Sequence, residues 1–167
     1  MRKVRTFGTI LGTLLIVTIL LSDSAVADWT WVGDITYSID CENPENALGE
    51  WDGNFATVGT NSPEPGPGDL MLDFGWGGIS DFTYVWVIGT NLWGMEENYT
   101  INIFASDGET YCGPWNGNND TYNHSFLTDD SGDDVWQYVQ ILGTTGQTDG
   151  TDTIYGPEID AVGYEIP

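Results

Sequence analysis

Apolar and polar residues alternate along much of the chain beyond residue 28, and a period of two fits a half-buried strand and not a helix. Trp29, Trp31, Ile35, Tyr37 and Ile39 alternate with Thr30, Asp34, Thr36, Ser38 and Asp40. This reads as one long strand over 29–40. Leu70, Leu72 and Phe74 alternate with Asp69, Met71 and Asp73, and Tyr99, Ile101, Ile103 and Ala105 repeat the pattern. Residues 82–88 are apolar on nearly both faces, as a central strand is. Shorter strands are expected over 54–58, 122–127, 135–142 and 159–166, with loops over 61–68 and 116–134. No stretch carries a helical period. The 22 glycines and 7 prolines suit many tight connections. The expected fold is all-β: an antiparallel β-sandwich or jelly roll, in a single domain over 28–167.

A sandwich needs a core, and the aromatic residues supply it. Eight Trp, eight Tyr and six Phe give a large apolar payload, which argues against the disorder that high charge otherwise brings.

Residues 1–27 have a different character. Arg2, Lys3 and Arg5 precede an apolar run over 7–21, which ends before Ala25-Val26-Ala27. Basic, apolar and small-residue parts in that order describe a cleavable signal helix. The run is shorter than the roughly 18 residues of a spanning helix. Cleavage after Ala27 leaves 140 residues, Asp28–Pro167, with no membrane span. The expected location is extracellular or the cell surface.

Cleavage also sharpens the charge. All three basic residues lie before Asp28, and only one of the 26 acidic residues, Asp23, does, so 25 carboxylates follow with no Lys or Arg and one histidine, His124. Such a chain repels phosphate backbones, which excludes nucleic acid as a partner. It repels itself unless salt or bound cations screen it. Hard divalent cations, Ca²⁺ above all, become expected partners, since they take carboxylate and carbonyl oxygens.

Cys41 and Cys112 are the two cysteines. In an exported chain the simplest expectation is one disulfide, closing a loop of about 70 residues and stabilising by roughly 4 kcal/mol.

Four segments then resemble a known family. They are Asn46-Ala-Leu-Gly-Glu-Trp-Asp-Gly-Asn-Phe-Ala-Thr-Val-Gly59, Gly68-Asp-Leu-Met-Leu-Asp-Phe-Gly75, Ala105-Ser-Asp-Gly-Glu-Thr-Tyr111 and Gly156-Pro-Glu-Ile-Asp-Ala-Val162. In order and spacing they resemble the galactose-binding-like jelly-roll modules of prokaryotic secreted and cell-surface proteins, over roughly residues 43–164. The resemblance implies a sandwich of about eight strands. It implies a structural Ca²⁺ where an N-terminal loop meets the C-terminal strand, and ligands, commonly glycans, at loop tips. Gly156-Pro-Glu departs from the usual closing motif, as does 76–81 after the second strand.

On that placement Asp40, Glu42, Asn43 and Asp52 form the loop side of a calcium site. Glu158 and Asp160, two apart on one strand and so on one face, form the other. The bland reading makes the same residues turn formers, and makes Asp160 a hydrogen-bonding bracket. Asp129, Asp130, Asp133 and Asp134 read as a solvated loop. Asn98, Asn119 and Asn123 head glycosylation sequons. Trp93, Tyr111, Trp115 and Tyr122 lie in or beside loops and are candidate ligand-binding rings; plugging the ends of the core is the alternative. With 25 carboxylates, acidic pairs are inevitable and say nothing of catalysis. No Ser/His/Asp order is recognisable, and no cation is present to hold an oxyanion.

The expectation is therefore a non-catalytic, Ca²⁺-stabilised binding or adhesion module, with glycans as the leading ligand class. The competing expectation is a self-assembling subunit of an extracellular filament or surface layer. In that case residues 29–40 pair with an identical subunit by strand donation.

Overall fold

The computed structural model describes residues 28–60, 66–90, 97–118, 123–132, 134–143, 147–148, 153–154 and 156–166. The expected signal segment lies outside them, as do Trp93, Asn119, Tyr122 and Asp133.

Fourteen strands and one 3₁₀ turn are described. In chain order they are β1 (Asp28–Trp31), β2 (Asp34–Ile39), the 3₁₀ turn (Pro44–Ala47), β3 (Ala56–Thr57), β4 (Gly59–Thr60), β5 (Gly66–Pro67), β6 (Asp69–Asp73) and β7 (Tyr84–Thr90). Then come β8 (Asn98–Ala105), β9 (Tyr111–Asn118), β10 (Asn123–Leu127), β11 (Trp136–Gly143), β12 (Gln147–Thr148), β13 (Thr153–Ile154) and β14 (Glu158–Ile166). One antiparallel sheet runs β1-β14-β7-β10, with β3 also on β14; the other runs β2-β6-β11-β8-β9. The two pack face to face as an all-β sandwich, as the alternation predicts.

The period of two explains the packing. Along β8 and β6 every second residue is buried. Tyr99, Ile101 and Ile103 from β8, Leu70 and Leu72 from β6, and Val139 and Ile141 from β11 meet Val85 and Val87 from β7 in one core. Each fully buried aliphatic side chain contributes about 1.5–3 kcal/mol.

The outer faces differ. On the β2-containing sheet, polar side chains bond across strands. Gln140 Nε2 donates to Tyr37 Oη at 3.0 Å and to Asp69 Oδ1 at 3.0 Å. Asn102 Nδ2 donates to Gln140 Oε1 at 3.0 Å. On the β1-containing sheet the outer face is aromatic. Trp29 stacks on Trp31 at 5.2 Å and meets Trp86 edge-on at 6.0 Å. Gly163 lies opposite Trp31 and Trp86 in the ladder, and a Cβ there would stand 2.6 Å from the Trp31 ring. The indole covers the glycine.

Three expectations are corrected. The long strand over 29–40 is two strands in two sheets. Val32 N–H still donates to Val162 O on β14 at 2.9 Å, while Gly33 N–H reaches Asp73 O on β6 at 3.3 Å. The chain changes sheet between them, a crossing that alternation alone does not reveal.

The expected disulfide is absent: both cysteines are free. Cys41 follows β2 and Cys112 lies in β9, the two edges of one five-stranded sheet. Four interstrand spacings of about 4.8 Å put them roughly 19 Å apart, well beyond the ~7 Å between Cα atoms that a bridge tolerates.

The third correction is β9 itself, which falls partly within the expected loop over 116–134. Its signal is masked by Gly113-Pro114 and Gly117. Gly113 has φ +115, and a Cβ there would stand 2.8 Å from Ile101 O, so only glycine fits. The β8–β9 register shifts at this point, between Ile101 and Ile103.

Candidate functional site

β9 and β10 are the edge strands of opposite sheets. Where the end of β10 and the 128–130 segment face the start of β9, a cleft of about 480 Å³ opens. That volume falls within the range of small-ligand sites, about 300–1,000 Å³. Tyr111 and Trp115 wall it on one side, Phe82 and Leu127 on the other, and Asp129 and Asp130 line the rim. The bulge at Gly113 separates the two β9 rings. Tyr111 stands opposite Phe104 and packs on its ring at 5.4 Å, while Trp115 stands opposite Ile101 and packs on Phe126 at 5.8 Å. Each ring facing the cleft is thus backed by a second ring.

Phe82 is an unusual wall. It is 66% exposed and held at φ +56, a left-handed conformation that costs a bulky residue on the order of 1–3 kcal/mol. The surroundings enforce it. Thr83 N–H donates to Thr128 Oγ1 at 2.9 Å, and Thr128 N–H donates back to Thr83 O at 3.0 Å. Thr128 Oγ1 in turn lies 3.1 Å from Ser80 O as donor. On the other flank Ser131 N–H donates to Asp81 Oδ1 at 2.9 Å; that bond draws the Asp81 carboxyl below its ordinary pKa. The 80–83 turn is stapled on both sides of Phe82 to the segment that follows β10.

The rim is positioned from the core. Trp136 is fully buried, yet its Nε1–H donates to Asp129 O at 2.9 Å. Asp130 Oδ1 accepts from Gly132 N–H at 2.9 Å. Cys112 also lines the cleft; burial pushes its thiol up to about 11, so it is a neutral thiol and a poor nucleophile.

Of the predicted ligand-binding rings, Tyr111 and Trp115 are brought together here. Trp93 and Tyr122 lie outside the described residues. Phe82 and Leu127 were not predicted, since their pattern is that of a strand interior. Asp129 and Asp130 sit on the cleft rim, more than the solvated loop expected of them. Asp134 instead accepts from Ser106 Oγ at 2.9 Å.

The predicted calcium ligands fare differently. The N-terminal loop does meet the last strand: β3 pairs with β14, and Glu42 pairs with Thr57. The buried Asp160 carboxylate, however, accepts Asp52 N–H at 3.1 Å on one oxygen and Gly53 N–H at 3.0 Å on the other. It brackets the loop. Burial raises its pKa. Asp52 is exposed and closes a turn onto Asn54, accepting its N–H at 2.8 Å and its Nδ2–H at 2.9 Å, and these bonds lower its pKa. Asp40 and Asn43 take left-handed turn conformations at φ 51 and 49. Glu158 is buried on β14. Among the described residues no three His, Cys, Asp or Glu side chains are grouped to hold a metal ion.

Of the sequons, Asn98 heads β8 and is exposed, whereas Asn123 heads β10. His124 packs between Tyr99 and Phe126, each at 6.1 Å, and burial lowers its pKa. Among the described residues, no helix is long and apolar enough to cross a membrane.

Comparison with known proteins returns no matching family, curated protein or solved structure.

Proposed function

We propose that this protein is a secreted or surface-displayed β-sandwich binding module that seats a neutral glycan in the cleft between β9 and β10. One observation carries the reading: exposed and half-buried rings, Tyr111, Trp115 and Phe82, converge with the paired carboxylates Asp129 and Asp130 on a single cleft. Flat rings offer faces for the C–H side of a pyranose, and carboxylates accept its hydroxyl hydrogens. No Lys or Arg follows Arg5, so anionic sugars lack a counter-charge and are disfavoured.

The site suits binding more than hydrolysis. Glycosidases set two carboxyl groups on opposite sides of the scissile bond. Asp129 and Asp130 are chain neighbours on one rim, both exposed.

The filament alternative is weaker. A subunit donating residues 29–40 would have to withdraw β1 from β14 and β2 from β6, two ladders that the chain already completes within itself.

The test is a glycan array followed by calorimetry on Trp115→Ala. Neutral glycans are expected to bind, and the variant is expected to weaken them by about 10-fold or more, since truncating a central aromatic anchor to alanine costs about 2 kcal/mol or more. An array blank across neutral classes rejects the reading.

A further inference from the structure

Phe82 does not only wall the cleft. It also lines a second cavity of about 270 Å³, together with Thr83, Tyr84 and Glu165. The ladder shows where that cavity lies. Tyr84 precedes Val85, which stands opposite Tyr164 of β14, and Glu165 stands opposite Trp29 of β1. Tyr84 and Glu165 therefore belong to the outer face of the β1-containing sheet, at the end of its tryptophan row. The two cavities meet at one side chain, Phe82. That side chain stands on a strained backbone, clamped by the Thr83–Thr128 and Asp81–Ser131 bonds.

The two cavities also repeat one chemistry. The larger has Tyr111 and Trp115 with Asp129 and Asp130; the smaller has Tyr84, 52% exposed, with Glu165. Each pairs an aromatic face with a carboxylate acceptor, and each is open. A compact ligand would use one of them. A chain of similar units would use both, crossing Phe82 between them.

Resting on the glycan reading above, we propose that the two cavities are subsites of one groove and that the natural ligand is a neutral oligo- or polysaccharide chain. Phe82 is the divider over which successive rings pass. The Tyr84–Glu165 cavity is a distal, length-sensing subsite, and the Tyr111–Trp115 cleft is the anchoring one. The charge fits the occupant: hydroxyl-rich neutral chains donate to Glu165, Asp129 and Asp130, whereas a polyuronate would face three like charges.

The experiment is calorimetry on the chain spanning 28–167, with neutral cello-, xylo-, malto-, laminari- and N-acetylchito-oligosaccharides and, as the anionic series, oligogalacturonates, each of one to six rings. Wild type is compared with Glu165→Gln, Tyr84→Ala and Trp115→Ala. The expected result is that, in the series that binds, affinity rises about tenfold or more from one or two rings to four or five, as linked subsites require. Glu165→Gln and Tyr84→Ala should abolish that gain while leaving the shortest ligand unchanged; Trp115→Ala should weaken every length. Both distal positions are exposed, and unchanged short-ligand binding confirms that the variants fold. Affinity that is flat with length, or a gain untouched by both distal variants, overturns the groove yet leaves the cleft reading standing. Preference for oligogalacturonate over every neutral series overturns the ligand class. No binding by any series removes both readings.

Discussion

Asp160 illustrates what a carboxylate does where no Lys or Arg lies anywhere beyond Arg5. It is nearly fully buried, a placement that ordinarily demands a cationic partner or a metal. Two backbone amides, those of Asp52 and Gly53, serve instead. Removing the acceptor takes a charge-assisted hydrogen bond from each of these two partly buried amides, and a bond to a charged group contributes about 1.5–3 kcal/mol. Asp160→Ala is therefore expected to destabilise by about 2–4 kcal/mol in urea unfolding, and Asp160→Asn by less, because its single carbonyl keeps one bond. The thiols give a second residue-scale prediction. Burial raises both Cys41 and Cys112 to about 11, and the strand order keeps them apart. Intact-mass analysis after denaturation without reductant is expected to show two alkylated cysteines per chain, and native protein near pH 8 is expected to alkylate slowly. A mass two hydrogens lighter, resistant to alkylation, would contradict the strand order. Cysteine count and compartment suggested the bridge; its absence depends on which strands form the edges of a sheet, and residue counting carries no trace of that.

At the scale of elements, legibility followed burial. Strands with one buried face, such as β6 and β8, announce themselves by alternation, and their existence was readable within a residue or two. β9 was not, because its pairing is broken by a glycine at φ +115 and a following proline, both of which read as loop. Yet that irregularity turns Tyr111 to one face and Trp115 to the other, which is why two rings on one strand reach a cleft at its edge. The crossing at Val32-Gly33 was invisible for a related reason: it keeps the alternation while exchanging one sheet for the other. On β14, Gly163 marks where sequence pattern and tertiary packing meet. A glycine in mid-strand weakens the strand by itself, but here the Trp31 indole fills the space above it, an arrangement that covers exposed backbone with an aromatic ring. Gly163→Ala drives a methyl group into that ring. It is expected to cost about 1–3 kcal/mol by overpacking and to perturb the near-ultraviolet circular dichroism of the Trp29–Trp31–Trp86 group. A neutral or stabilising outcome would mean that the tryptophan row is not seated on β14.

For the whole molecule, the absence of cations beyond Arg5 changes what holds carboxylates in place. Amide side chains take over from Lys and Arg: Gln140 donates to Asp69 and Gln137 to Asp73. Backbone N–H groups serve Asp52, Asp81, Asp107 and Asp160. These bonds are local, and they leave the 25 carboxylates beyond Ala27 without a Lys or Arg in the same stretch. Added NaCl is therefore expected to raise the melting temperature steadily, by screening. CaCl₂ at matched ionic strength is expected to add nothing further at the junction of the N-terminal loop and β14, where the Asp160 oxygens already hold amides. A calcium-specific rise would instead point to an ion drawing Glu42, Asp52 and their neighbours together. The pH dependence has two opposed parts. Asp160 is raised by burial, so its folded form favours the proton, and stability climbs as pH falls through its raised value towards the ordinary aspartate value of 3.8. Asp52, Asp81 and Asp107 are lowered by hydrogen bonds. What they contribute is present above 3.8 and is lost as pH falls below it. Thermal unfolding scanned at fixed high salt should therefore show greatest stability in mildly acidic solution, above pH 3.8, and a decline on further acidification. In Asp160→Asn the rise on the acidic approach should flatten while the decline persists. If the rise survives that substitution, it belongs to the collective repulsion of the surface and not to the one buried bracket that ties the N-terminal loop to the last strand.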